Sequence, residues 1–125
     1  MMTSNQISAN FKRSEFACKC GCGFDTVDVA LIEIVQAVRD RFGVPFDINS
    51  GCRCPTHNRA VGGASNSQHL FGRAADIDSS RSDVSPDRVA DYVEENFPHM
   101  SVGRYNTFTH VDSRTNGPAF WDKRK

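Results

Sequence analysis

The sequence predicts an α+β fold: one compact domain with helices packed on a small antiparallel sheet. Three observations lead there. Val27, Ala30, Leu31, Ile34, Val35 and Val38 recur at helical spacing. Ala74–Asp78 alternates as a short strand, and Val102–Tyr105 with Phe108–Val111 reads as a hairpin joined around Asn106 and Thr107. Finally, 125 residues with 38% apolar content and nine Phe are enough for one core and few for two.

In chain order, residues 1–10 read as a polar tail, residues 11–121 as the folded domain and residues 122–125 as a charged tail. Phe11 and Phe16 bracket an anchoring segment. The first helix is expected from Asp25 or Thr26, with Arg39 and Arg41 in its last turn and Gly43 as its stop. Val44, Phe46 and Ile48 alternate as a strand that delivers Ser50–Cys54, and Pro45 suggests that it starts at an edge. Residues 58–66, with Gly62, Gly63, Ser65 and Asn66, have loop composition. Ser85-Pro86-Asp87 has the cap, first-turn proline and acidic residue of a helix start. That helix carries Val89, Ala90 and Val93 and ends before Pro98, with Asp87, Asp91, Glu94 and Glu95 as a solvated face.

The chemistry is concentrated in two pieces. Ser67-Gln68-His69 and Asp76 form the first, with Gly72 turning the chain between the loop histidine and the strand; His110 and Asp112 form the second. Strand alternation places Asp76 and Asp78 on one face, and likewise Phe108, His110 and Asp112. His69, Asp76 and His110 thereby make a set of two imidazoles and one carboxylate. Such a set holds one zinc in an open cleft and leaves the fourth position for water, as hydrolytic zinc requires. His57 reads as a hydrogen-bonded loop residue outside this set.

Charge excludes other classes. Fifteen basic residues balance fifteen acidic ones, so nothing predicts capture of nucleic acid or of an anionic membrane surface. No stretch approaches the roughly 20 apolar residues of a membrane span. The opening residues lack the profile of a secretory signal, which predicts synthesis in the cytoplasm. Five cysteines lie in two clusters, Cys18, Cys20 and Cys22, then Cys52 and Cys54. The odd count argues against a disulfide framework and makes reduced thiols the default, with a bridging structural zinc or a late disulfide as alternatives; Cys-x-Cys is tighter than usual zinc-ligand spacing.

Taken in order, Ser50-Gly51-Cys52-Arg53-Cys54-Pro55-Thr56-His57-Asn58, Val61-Gly62-Gly63-Ala64, Ser67-x-His69-x-x-Gly72-x-Ala74-x-Asp76, Gly103-x-Tyr105 and His110-x-Asp112-x-Arg114 resemble the zinc D-alanyl-D-alanine carboxypeptidase family. Its wider superfamily includes phage L-alanyl-D-glutamate endopeptidases and the hedgehog domain. The resemblance runs from about Phe11 to Trp121. It implies that His69, Asp76 and His110 are the zinc ligands, that Arg53 and Ser67 orient substrate, and that peptidoglycan stem peptides are the substrate. Arg114 can share the work of Arg53 or serve as a surface salt bridge.

One departure bears on mechanism. Better-known relatives carry an acid three residues before the second histidine ligand, where this chain has Thr107. Asp112 is then the candidate catalytic carboxylate. Its alternative role is to orient His110 through the other ring nitrogen, with Asp78 as a further candidate base. The function implied is a monomeric zinc peptidase of phage-lysin type, reaching the wall after release or as part of a virion. A non-catalytic zinc-containing wall-binding or virion structural module is the alternative.

Overall fold

A computed structural model describes residues 5–125 of the chain. Its elements are α1 (Val29–Phe42), β1 (Asp47–Ser50), α2 (Pro55–Ala60), β2 (Ala74–Asp78), α3 (Pro86–Asn96), β3 (Ser101–Arg104), β4 (Thr109–Asp112) and β5 (Phe120–Asp122). Short 3-10 turns cover Arg13–Glu15 and Gln68–Phe71. The five strands form one sheet in the order β1-β2-β4-β3-β5. All neighbours are antiparallel except β5, which lies parallel to β3. The sheet is therefore mixed at one edge, through a strand too short to register in the sequence pattern.

One sheet face makes the core. Ala75 and Ile77 of β2, Val102 of β3 and Val111 of β4 join Leu31, Ile34, Val35 and Val38 of α1 and Val89, Ala90 and Val93 of α3. Each fully buried Val, Leu or Ile contributes roughly 1.5–3 kcal/mol through removal of apolar surface from water. The helical spacing in α1 and the alternation in the strands thus describe two halves of one apolar layer.

Boundaries differ from expectation where distant bonds decide them. α1 begins at Val29, later than Asp25 or Thr26, because Asp28 is extended (φ −65°, ψ 136°). The Asp28 N–H donates to the Gly72 carbonyl (2.9 Å) and its carboxylate accepts from Ser113 Oγ (2.5 Å). Val27 is buried all the same, ahead of the helix. Gly43 ends α1 in the left-handed conformation. Residues 55–60, partly assigned to a loop, form α2, with Cys54 as cap and Pro55 in the first turn. α3 starts at Pro86 behind Ser85, whose side chain accepts from the Arg88 N–H, as its sequence requires.

The ends of the chain are tied down in their described parts. Of the expected tail, residues 1–4 lie outside the described residues. From Asn5 on, the segment is bound: the Arg13 N–H donates to the Asn5 carbonyl (2.6 Å) and Ser8 Oγ bonds Gln36 of α1 (2.8 Å). At the other end, Arg124 pairs with Asp87 (2.6 Å). The acidic face of α3 is more than solvated, since Arg104 gathers Asp87, Asp91 and Glu94.

Gly72 is the joint between the two layers of the site. It has φ +68°, and a Cβ there would lie 1.9 Å from the Thr26 carbonyl oxygen. Both the conformation and the close approach demand glycine. Gly72→Ala should therefore cost on the order of 1–3 kcal/mol or more of stability in urea unfolding. An unchanged midpoint would contradict the tight packing of this turn against residues 26–28.

Candidate metal centre and cleft

The second sheet face carries a single row of residues across every strand. Ser50 pairs with Asp76, Asp76 with His110, His110 with Gly103, and Gly103 with Trp121. Because cross-strand partners share a face, this register puts a carboxylate and an imidazole side by side on the floor of a cleft. His69 arrives from above on the 3-10 turn. Ser67 caps that turn by accepting from the His69 N–H (3.2 Å).

Three donor atoms converge. His69 Nε2 is 3.4 Å and His110 Nδ1 3.0 Å from Asp76 Oδ1. The other ring nitrogens are committed: His69 Nδ1 donates to the Gly51 carbonyl (2.6 Å), and His110 Nε2 donates to Asp112 Oδ2 (2.8 Å). With the outer nitrogens so engaged, His69 Nε2 and His110 Nδ1 both face Asp76 Oδ1, and a cation, whether a proton or a metal ion, is what lets three such groups share that space. Donors about 2.0–2.1 Å from a tetrahedral zinc sit roughly 3.3 Å apart, close to these spacings. The donor set fits zinc, and carbonyl and carboxylate groups behind the rings are the support that metal-bound histidines need.

The cleft has a volume of about 560 Å³ and is lined by His69, Asp76, His110, Arg53, Tyr105, Arg114 and Trp121 among others. Arg53 is held by Ser50 Oγ (3.0 Å) and Asn58 Oδ1 (3.2 Å), with a terminal nitrogen 3.6 Å from Asp76 Oδ2. Its guanidinium therefore borders the donors in a fixed orientation. Ser67 also lines the cleft, although its hydroxyl is engaged as the turn cap.

Asp112, expected as the catalytic carboxylate, stands behind His110 and has no exposed surface. Its Oδ1 accepts from the Arg114 N–H (3.2 Å) and Nε (2.9 Å), and its Oδ2 from Arg114 Nη2 (2.7 Å) as well as from His110. Burial alone would raise its pKa. The hydrogen bonds from Arg114 and His110 outweigh burial and hold the carboxyl well below the usual range. Arg114 is thus the partner of a buried carboxylate and not of a surface one, while its guanidinium also lies over the Trp121 ring (5.5 Å). Asp78 does not line the cleft, and Thr107 borders a neighbouring cavity with Ser79 and Pro86. Among the described residues, Asp76 is the one carboxylate on the cleft wall. His57 lies in α2, outside the donor group.

Several contributors escaped the sequence reading. Trp121 leans toward His110, with ring centroids 4.9 Å apart, and its indole N–H donates to Tyr105 Oη (3.0 Å). Gly103 makes this possible, because a Cβ there would lie 2.4 Å from the indole. Gly51 and buried Asn58 lie within the motif run that carries the resemblance, but their roles, the carbonyl behind His69 and the amide oxygen holding Arg53, appear only in the folded chain.

Comparison with known proteins is consistent with this geometry. A family model described as Peptidase M15 matches residues 9–112. The zinc D-Ala-D-Ala carboxypeptidase of Streptomyces albus G is 50% identical over 44 residues, which is 34% of this chain and 17% of that protein. The match thus spans less than a fifth of that relative's length.

Replacing His69, Asp76 or His110 by Ala should each remove one equivalent of zinc relative to the wild-type protein, as measured by elemental analysis after dialysis. Unchanged zinc content in the His110→Ala protein would contradict the assignment.

Proposed function

The chain belongs to the peptidase M15 family, and from that membership we propose that it is a zinc-dependent peptidase acting on the stem peptides of bacterial peptidoglycan. The observation that carries this reading is the convergence of His69 Nε2, His110 Nδ1 and Asp76 Oδ1 on the floor of an open cleft. The relative from Streptomyces supports a bond involving D-alanine as the target. The finer reading is a lysin-type enzyme, either a carboxypeptidase or an endopeptidase.

A zinc ion held by these donors would polarise a peptide carbonyl and bring the pKa of its bound water toward neutrality. The chain's own residues then divide the remaining work. Arg53, fixed by Ser50 and Asn58, presents a planar fork suited to a substrate carboxylate or a developing oxyanion. Trp121 and Tyr105 form an amphipathic wall beside His110. In this reading Asp112 orients His110 and keeps its Nε2 protonated, leaving Nδ1 for the metal; Arg114 holds Asp112 in turn.

A non-catalytic wall-binding module is the second reading. It is favoured by the lack of any carboxylate besides Asp76 lining the cleft among the described residues. Mass spectrometry of purified muropeptides after incubation with zinc-loaded protein separates the two. New peptide ends, with the bond identified by their masses, are the result expected of a peptidase. Sedimentation with peptidoglycan and no new ends would replace it by the binding module.

Two substitutions test the assigned roles. Arg53→Lys keeps the charge but removes the fork, so kcat/KM should fall on the order of 10-fold or more at unchanged zinc content. Unchanged kinetics would take Arg53 out of substrate binding. Asp112→Asn should weaken zinc affinity by roughly 10- to 100-fold, with turnover restored by excess zinc. A loss of about 100-fold or more in kcat at full zinc occupancy would instead return Asp112 to the role of base.

A further inference from the structure

We propose that Cys18, Cys20, Cys22 and Cys54 form a second metal site, a closed four-thiolate zinc centre that fastens the N-terminal loop to the peptide supporting His69. The four sulfurs lie within 4.8 Å of one another. Cys18 Sγ is 3.4 Å from Cys20 Sγ, and Cys20 Sγ is 3.6 Å from Cys54 Sγ. A disulfide would need about 2.05 Å, and none of the five cysteines is bridged. Thiolates about 2.3 Å from a tetrahedral zinc lie roughly 3.8 Å apart, so the observed spacings need little adjustment.

The local chain explains how so tight a Cys-x-Cys-x-Cys spacing can work. Lys19 and Cys20 lie in a turn, which folds the chain back so that the Cys18 and Cys20 sulfurs meet at 3.4 Å. Gly21 and Gly23, at φ +82° and +93°, then curl the segment so that a third thiol meets the first two. The Gly21 N–H closes the turn on the Cys18 carbonyl (3.2 Å). Cys54 supplies the fourth sulfur from the cap of α2. Backbone donors face the sulfurs: Cys54 N–H to Cys18 Sγ and His57 N–H to Cys54 Sγ, both 3.4 Å. Amide donors to sulfur favour the thiolate, the form that binds metal.

The odd cysteine count then has a reason. Cys52 stands apart, buried with its S–H donating to the Thr26 carbonyl (3.3 Å), and belongs to the core. Four soft ligands in a tetrahedral arrangement suit zinc, and with no position left for water the role is structural. Its location makes that role specific. Residues 51–54 supply the Gly51 carbonyl to His69 Nδ1, place Arg53 in the cleft and end in Cys54. The same segment is bonded at the Cys52 N–H to the Phe16 carbonyl (2.7 Å). A metal at the thiols locks this peptide from its far end.

The test is metal binding by the full chain purified under reductant and loaded with cobalt alone, which needs no hydrolytic assay. Two cobalt ions per chain and an intense sulfur-to-cobalt charge-transfer band are expected. The band should survive in the His69→Ala, His110→Ala double variant. It should vanish in a Cys20→Ser, Cys22→Ser double variant, with one ion retained. In the zinc-loaded wild-type protein, Cys20 and Cys22, although exposed, should resist a thiol reagent until a chelator is added. That protection decides the matter if the serine variant fails to fold. Absence of the sulfur band, immediate reaction of both thiols, or a disulfide in the intact mass would each overturn the proposal.

Discussion

Asp76 and His110 face each other across β2 and β4, and that one register position ties the chemistry to the core. Shifting either strand by a single residue would turn its site residues into the apolar layer and its apolar residues into the cleft. Ala75, Ile77, Val102 and Val111 oppose such a slip, because their buried surface is continuous with α1 and α3. Burial of several aliphatic side chains at roughly 1.5–3 kcal/mol each exceeds the cost of crowding a carboxylate and two imidazoles on the opposite face. The hydrophobic layer therefore fixes a donor geometry that would not assemble by itself.

Polar burial is the corresponding liability, and the structure meets it by pairing. His69, Asp76, His110 and Asp112 are all buried. Each imidazole has an acceptor behind it, and Asp112 has Arg114 and His110 on its oxygens. A buried carboxylate without such partners would carry a penalty of several kcal/mol. Pairing also sets direction: a histidine whose outer nitrogen is engaged can present only the other one to the cleft. Orientation of both rings follows from groups that never touch the cleft themselves.

Much of this was legible in the sequence because it is local. The end of α1 at Gly43, the start of α3 at Ser85-Pro86 and the alternation of β2 are written in adjacent residues. Period-two alternation also placed His110 and Asp112 on the same side of β4. It did not reveal that the imidazole would stand between Asp112 and the cleft, since that depends on Arg114 folding back onto the carboxylate. α2, β5 and the support of Trp121 by Gly103 were hidden as well. Long-range contacts decide β5 and the Gly103–Trp121 approach, whereas α2 has a local start at Cys54-Pro55 that its short length obscures. The cysteines showed the same limit, because the approach of Cys54 to Cys20 joins positions far apart in the chain.

The central claim is that the backing groups choose which imidazole nitrogen meets the metal. Nitrogen NMR of histidine-labelled protein, recorded with and without zinc, tests it at single-atom level. The account predicts metal-induced shifts at His69 Nε2 and His110 Nδ1, with protons retained at His69 Nδ1 and His110 Nε2. Zinc bound at His110 Nε2, or a proton remaining on His110 Nδ1 in the loaded protein, would contradict it.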